Sequence, residues 1–148
     1  MNPEIPDNPR RRTLLKTAGA AALLATMPEG IAAPADLVTR AIPRSGERLP
    51  AVGLGTWQVF DVPPARLTET ELPAVMKRFV ELGGKVVDSS PMYGNAEAAV
   101  GALSAAQKNR AALFLATKVW TSGREAGIRQ METSAKLMQA GKTIDLMQ

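Results

Sequence analysis

The chain has 148 residues, 45% hydrophobic and 22% charged, and contains neither cysteine nor histidine. This is an ordinary globular composition, and it excludes disulfides, thiol nucleophiles, His-based triads and the usual zinc sites within these residues. The net charge of +4 does not mark a nucleic-acid surface: Arg10, Arg11 and Arg12 cluster near the N-terminus, and the other basic residues are interspersed with acids, without a basic stripe or interleaved aromatics.

The first segment, "NPRRRTLLKTAGAAALLATMPEGIAAPAD", has three parts: a basic run, an apolar stretch from Thr17 to Met27, and a small-residue segment ending Ala33-Pro34-Ala35. That is the order of an export signal. The apolar stretch is about half the length that crosses a bilayer, so no stable membrane span is expected. Arg11-Arg12-Thr13-Leu14-Leu15-Lys16 resembles the twin-arginine consensus, with Leu14 where phenylalanine is common. The resemblance implies recognition by the twin-arginine export machinery, cleavage after Ala35 and a periplasmic or exported destination. Residues 1–35 are thus expected to be an address and residues 36–148 the folded domain.

"RAIPRSGERLPAV" predicts a small hairpin turning at Ser45-Gly46. "AVGLGTW" predicts a short strand whose glycines bring backbone close to a neighbour. These glycines do not form a dinucleotide fingerprint, since the third glycine and the later acid are missing at that spacing. In "TETELPAVMKRFVELGG", Leu72, Val75, Met76, Phe79 and Leu82 recur three or four apart, predicting an amphipathic helix capped by Thr70 or Thr68 and ended by Gly83-Gly84.

"KVVDSS" predicts a second strand, followed by a helix from about Asn95, a candidate cap, to Gln107. "ALFLATKVW" is apolar throughout, as a strand covered on both faces would be. The third helix lies in "SGREAGIRQMETSAKLMQAG", with a capping box of Ser122 and Glu125, an inward face of Ile128, Met131, Ala135 and Met138, and Gly141 closing it. "TIDLMQ" begins a fourth strand. The alternation of strand and helix fits an open doubly wound sheet or part of a (β/α)8 barrel.

Asp88 ends the second of these strands and Lys118 ends the third. Neighbouring parallel strands lie roughly 5 Å apart, so the two side chains should meet at the rim where α/β barrels place their chemistry. Tyr93, the only tyrosine, lies in the loop leaving the second strand and can fold over the pair. A free phenol, with a pKa of about 10, is a poor acid at neutral pH. A nearby ammonium favours the phenolate, and a carboxylate keeps that ammonium charged and oriented. Such a trio can donate a proton to a developing alkoxide, whereas a strand-end ion pair beside an unrelated tyrosine has no catalytic role. Geometry alone leaves the two readings level.

"AVGLGTW", "ELGGKVVDSSPMYGNAEAAVG", "FLATKVW" and "IDLMQ", in this order, resemble the aldo-keto reductases, from about Arg40 to Gln148. The resemblance implies the N-terminal half of a (β/α)8 TIM barrel, about four parallel strands and three helices behind a short hairpin. It further implies carbonyl reduction by hydride transfer from NADPH without a metal. Asp88, Tyr93 and Lys118 match the family's catalytic aspartate, tyrosine and lysine, while Gly55, Thr56 and Trp57, with Asp88, match its nicotinamide site.

Two features depart from the family pattern. The stretch "AEAAVG" after the tyrosine is one residue longer than in many members. Asp145-Leu146-Met147-Gln148 stops two residues before the family's catalytic histidine, in a pattern like D-L-x-x-x-H. Residues 36–148 are also fewer than half of the about 250 of such a barrel. These residues are therefore expected to be the N-terminal part of a longer, small-molecule carbonyl reductase, inactive by themselves and prone to aggregation or a molten state. Two alternatives are a non-catalytic nicotinamide-binding regulatory subunit and a half-barrel that works as a dimer.

Overall fold

The computed structural model describes residues 36–148; the expected export signal in residues 1–35 lies outside the described residues. Strands β1 (Thr39–Ala41) and β2 (Arg48–Pro50) pair antiparallel, Thr39 opposite Pro50. Their turn is closed by the Ile42 N–H to the Glu47 carbonyl and the Gly46 N–H to the Ile42 carbonyl, both 2.8 Å, which is the hairpin expected at Ser45-Gly46.

Four short strands then form one parallel sheet in sequential order: β3 (Leu54–Gly55), β4 (Val86–Asp88), β5 (Phe114–Thr117) and β6 (Leu146–Met147). Its register sets Gly55 beside Asp88 and Asp88 beside Ala116. The close approach expected of the two glycines holds at Gly53, where a Cβ would lie 3.0 Å from the Val86 carbonyl oxygen, and not at Gly55, where a Cβ would meet nothing within 4 Å. Helices α1 (Leu72–Glu81), α2 (Ala96–Ala106) and α3 (Arg124–Leu137) connect the strands. Sequential parallel strands joined by helices are an arc of a (β/α)8 barrel, as expected. Among the described residues, no helix is long and apolar enough to cross a membrane.

Alternation along the strands sorts their side chains. Val87 and Leu115, fully buried, join Met76, Val100, Leu103 and Met138 in the core with the helices. Asp88 and, two residues after its neighbour Ala116, Lys118 fall on the other face. At the opposite end of the sheet, the Arg110 guanidinium donates to the carbonyls of Leu113, Ala140 and Thr143. The Asp145 carboxylate accepts the Leu115 N–H at 2.8 Å, tying β6 to β5.

The helices depart from expectation at their edges. Neither candidate cap for α1 stands at the cap position, which falls on Glu71 without a side-chain cap bond; Thr70, one residue earlier, accepts the Leu72 N–H at 3.3 Å while its hydroxyl donates to the Leu67 carbonyl. The buried stripe of α1 is Leu72, Met76, Phe79 and Val80, whereas Val75 and Leu82 are exposed because they lie about a quarter-turn from its centre. Gly83, at φ +84, closes α1 as expected, with Gly83 N–H on the Val80 carbonyl and Gly84 N–H on the Phe79 carbonyl.

Asn95 occupies the cap position of α2 but makes no side-chain cap bond; its amide is drawn to Asp61 instead. The expected Ser122–Glu125 capping box does not form. The cap falls one residue later, on Gly123, which puts the pair out of register, and Glu125 faces Arg129 at 3.8 Å. Nor does Gly141 close α3. Gln139, at φ +50, does so, while Met138 is buried and Ile128, Met131 and Ala135 are half-buried on the inward face.

Candidate active site

Because β3, β4 and β5 run parallel, the residues just beyond their C-terminal ends share one rim. There the Lys118 ammonium donates to both Asp88 carboxylate oxygens at 2.8 Å and to the Ser89 carbonyl at 2.9 Å. All three ammonium protons therefore have acceptors, and the side chain is held in one place. The pair is half-buried, with side-chain exposures of 23% for Lys118 and 38% for Asp88.

Tyr93 lies over this pair as the sequence predicts: the Lys118 ammonium is 5.4 Å from its ring centroid, within cation–π range. The ring is half-buried against the core edge. Its backbone follows a tight turn, with the Tyr93 N–H on the Ser90 carbonyl at 3.0 Å and the Ser90 hydroxyl accepting the Met92 N–H at 3.2 Å. Trp57, 64% exposed, stands beside it with ring centroids 6.4 Å apart.

The three first-strand residues divide. Gly55 is exposed, and a Cβ there would meet nothing within 4 Å, so space opens beside Asp88. Trp57 presents a flat apolar face to the same rim. Thr56 is fully buried, and its hydroxyl donates to the Asp88 carbonyl at 2.9 Å and contacts the Ser89 hydroxyl at 3.0 Å. It ties the ends of β3 and β4 together, and its side chain faces no open space.

Four further side chains that motif reading passed over brace this rim. The Asp61 carboxylate accepts the Asn95 backbone N–H at 2.8 Å and the Asn95 side-chain amide at 2.9 Å. Those bonds, the backbone one first, hold the Asp61 carboxyl below the ordinary value of 3.8. Gly94, at φ +58, makes the approach possible, since a Cβ there would collide with that carboxylate. The Gln148 amide donates to Asp88 at 3.0 Å.

On α3, the Gln130 side chain spans the Trp120 backbone, accepting its N–H at 2.5 Å and donating to its carbonyl at 3.4 Å. Glu97, on α2, accepts the Thr117 hydroxyl at 2.6 Å. Only Glu97 leaves a trace in the sequence, as a lone acid in the otherwise small and apolar run "AEAAVGALSAA". The loop that follows Lys118 borders a shallow, open depression at Val119, Trp120, Thr121 and Ser122, which Asp88, Tyr93 and Lys118 do not line.

Residues 51–148 match the Aldo/keto reductase family. Methylglyoxal reductase DkgA of Yersinia pestis is 34% identical over 94 residues, 64% of this chain and 31% of that protein. Among solved structures, an aldo/keto reductase from Klebsiella pneumoniae in complex with NADP and acetate is similar at a TM-score of 0.53 and 30% identity. That match covers 64% of this chain and 33% of the other. A thermostable aldo-keto reductase in complex with the inhibitor epalrestat gives a TM-score of 0.59 at 28% identity, over 70% of this chain and 39% of its own. The chain spans about a third of the length of the curated relatives it matches. With a sequential parallel sheet, a rim built from its strand ends and two thirds of its residues matched, the chain belongs to the aldo/keto reductase family.

Proposed function

We propose that these residues form the N-terminal part of a carbonyl reductase, in which Tyr93 is the proton donor and Lys118 and Asp88 its electrostatic support. The observation that carries this reading is the Lys118 ammonium, fixed by the Asp88 carboxylate and placed against the Tyr93 ring. A carbonyl oxygen gains negative charge as its carbon is reduced, and a phenol beside a fixed ammonium is suited to protonate it. Asp88 keeps the ammonium from following the substrate, so the positive charge stays where the oxyanion develops.

The residues present fit a nicotinamide: Gly55 leaves open space beside Asp88, and the exposed Trp57 ring offers a flat apolar wall. When bound, NADPH supplies the hydride that the carbonyl carbon receives. Thr56 contributes by holding β3 against β4, since its hydroxyl is already engaged. The named methylglyoxal reductases among the relatives make methylglyoxal the first substrate to try.

The test is to express the product of the complete reading frame and follow carbonyl-dependent oxidation of NADPH and of NADH. Turnover with methylglyoxal or simple aldehydes is expected, faster with NADPH. Replacing Tyr93 by Phe should lower kcat by about 100-fold or more, the usual size of a lost general acid. Nicotinamide binding without turnover would favour a sensor role, and unchanged turnover in Tyr93→Phe would remove the tyrosine from the chemistry. We also propose that residues 1–35 direct twin-arginine export. Fractionation of the same cells should find the protein in the periplasm, and a change of Arg11 and Arg12 to lysine should retain it in the cytoplasm.

A further inference from the structure

Helix α2 begins three residues after Tyr93, and its second residue is Glu97. This carboxyl is only 2% exposed, and its Oε1 accepts the hydroxyl of Thr117, which is 0% exposed, at 2.6 Å. Thr117 is the last residue of β5 and the neighbour of Lys118. Side chains alternate along a strand, so Lys118 faces Asp88 on one side of the sheet while Thr117 faces α2 on the other. The Glu97–Thr117 bond therefore joins, from behind the sheet, the two segments that carry Tyr93 and Lys118.

A stability role does not require this pair. Apart from Ser104, whose hydroxyl donates to the Gly101 carbonyl of its own helix, the rest of the buried surface of α2 is glycine, alanine and larger apolar residues, and a buried carboxyl is costly unless it is hydrogen-bonded. Well-packed apolar replacements of buried polar pairs are often neutral or stabilising. A hydrogen bond, unlike an apolar contact, fixes distance and direction. On the β3 side, the Tyr93 loop is already tied down by the two Asn95–Asp61 bonds. Glu97 supplies the matching tie on the β5 side.

The geometry points to Glu97 as a positioning residue for the proton donor: through Thr117 it sets where the Lys118 ammonium stands relative to the Tyr93 ring. Glu97 does not touch the reacting atoms. Beyond Thr117 it lines an outer cleft of about 330 Å³ with Pro91, Arg129 and Thr133, between α3 and the Tyr93 loop with the start of α2. This inference rests on the carbonyl-reductase reading above for its kinetic consequence, and on the contact itself for its structural one.

The experiment uses the product of the complete reading frame with four variants: Thr117→Val, Thr117→Ser, Glu97→Gln and the apolar double variant Glu97→Leu/Thr117→Val. Thr117→Val should lower kcat roughly tenfold to a hundredfold, the range expected when reacting groups are misplaced by a fraction of an ångström to one. KM should change by less than about twofold, because ground-state binding is untouched. Thr117→Ser keeps the hydroxyl donor and Glu97→Gln keeps an oxygen acceptor, so both should retain most of the rate. The double variant leaves no buried polar group unpaired, so it should melt like wild type yet stay slow. Recovery of its rate together with its stability would overturn the inference, as would an unaltered kcat in a folded Thr117→Val.

Absence of any turnover in the wild-type protein would instead defeat the reductase reading. The positioning role is then read without catalysis, from the ring-labelled tyrosine NMR signal that disappears in Tyr93→Phe. That signal should move in the double variant and stay in place in Thr117→Ser; if it does not move in the double variant, the inference fails.

Discussion

Single residues explain why the Tyr93 loop holds its shape. Asp61 reaches across 34 positions to Asn95 and binds both its backbone and side-chain N–H groups. Those donors favour the charged carboxylate and lower its pKa in the fold. A group whose folded pKa is depressed adds stability above its unfolded pKa, and that stability is lost as pH falls through the folded value. The stability difference between wild type and Asp61→Asn should therefore be constant at neutral pH and shrink as pH falls below 3.8. Melting curves of the two proteins across that range measure it, and a constant difference would mean that the carboxylate is solvated much as in the unfolded chain. Asp88 and Lys118 were legible in the sequence because each ends a short apolar run, which places it on a strand end. Asp61 was not: its partner lies in another loop, and no local pattern records a contact of that range.

At the scale of elements, the strand and helix order was legible from periodicity, while the helix ends were less so. α1, α2 and α3 all close the same way, with a residue at positive φ whose N–H, and the one after it, turn back onto the last carbonyls. In α1 that residue is Gly83, but in α2 and α3 it is Lys108 at φ +55 and Gln139 at φ +50. The sequence pointed to Gly141 for α3 because glycine is the usual residue there, and tertiary packing of Met138 and Ala140 into the core overrode that preference by setting the turn two residues earlier. A side chain in the left-handed region is strained, and glycine removes the strain at some cost in unfolded-chain entropy. Lys108 and Gln139 are both exposed, so neither side chain is needed for packing. Lys108→Gly and Gln139→Gly should each stabilise the fold by about 0.5–1 kcal/mol, seen as a higher urea midpoint at unchanged slope. A lower midpoint would mean that these side chains make contacts worth more than the strain.

The whole molecule raises a different question, since a parallel sheet is normally covered on both faces and closed or flanked at its edges. Among the described residues, β3 and β6 are outer strands with unpaired edges, and the face carrying Asp88 also carries the exposed Leu146 and half-buried Val86 and Phe114. The strand–helix alternation identified the barrel class, but closure is a property of all eight strands together and cannot be read from four. Open edges offer unpaired N–H and C=O groups to any other chain, and exposed apolar surface adds a non-directional pull toward association. Residues 36–148 made alone are therefore expected to bind a hydrophobic dye and to form species of mixed, concentration-dependent mass, because edge pairing between copies has no symmetry that closes it. Light scattering and a thermal melt decide the matter together. A broad melt with dye binding and heterogeneous mass is the expected result. A sharp melt at monomer mass would show that four strands and three helices bury enough surface to fold alone. A sharp melt at twice that mass would instead establish two half-barrels closing on each other, with β3 of one copy set against β6 of its partner.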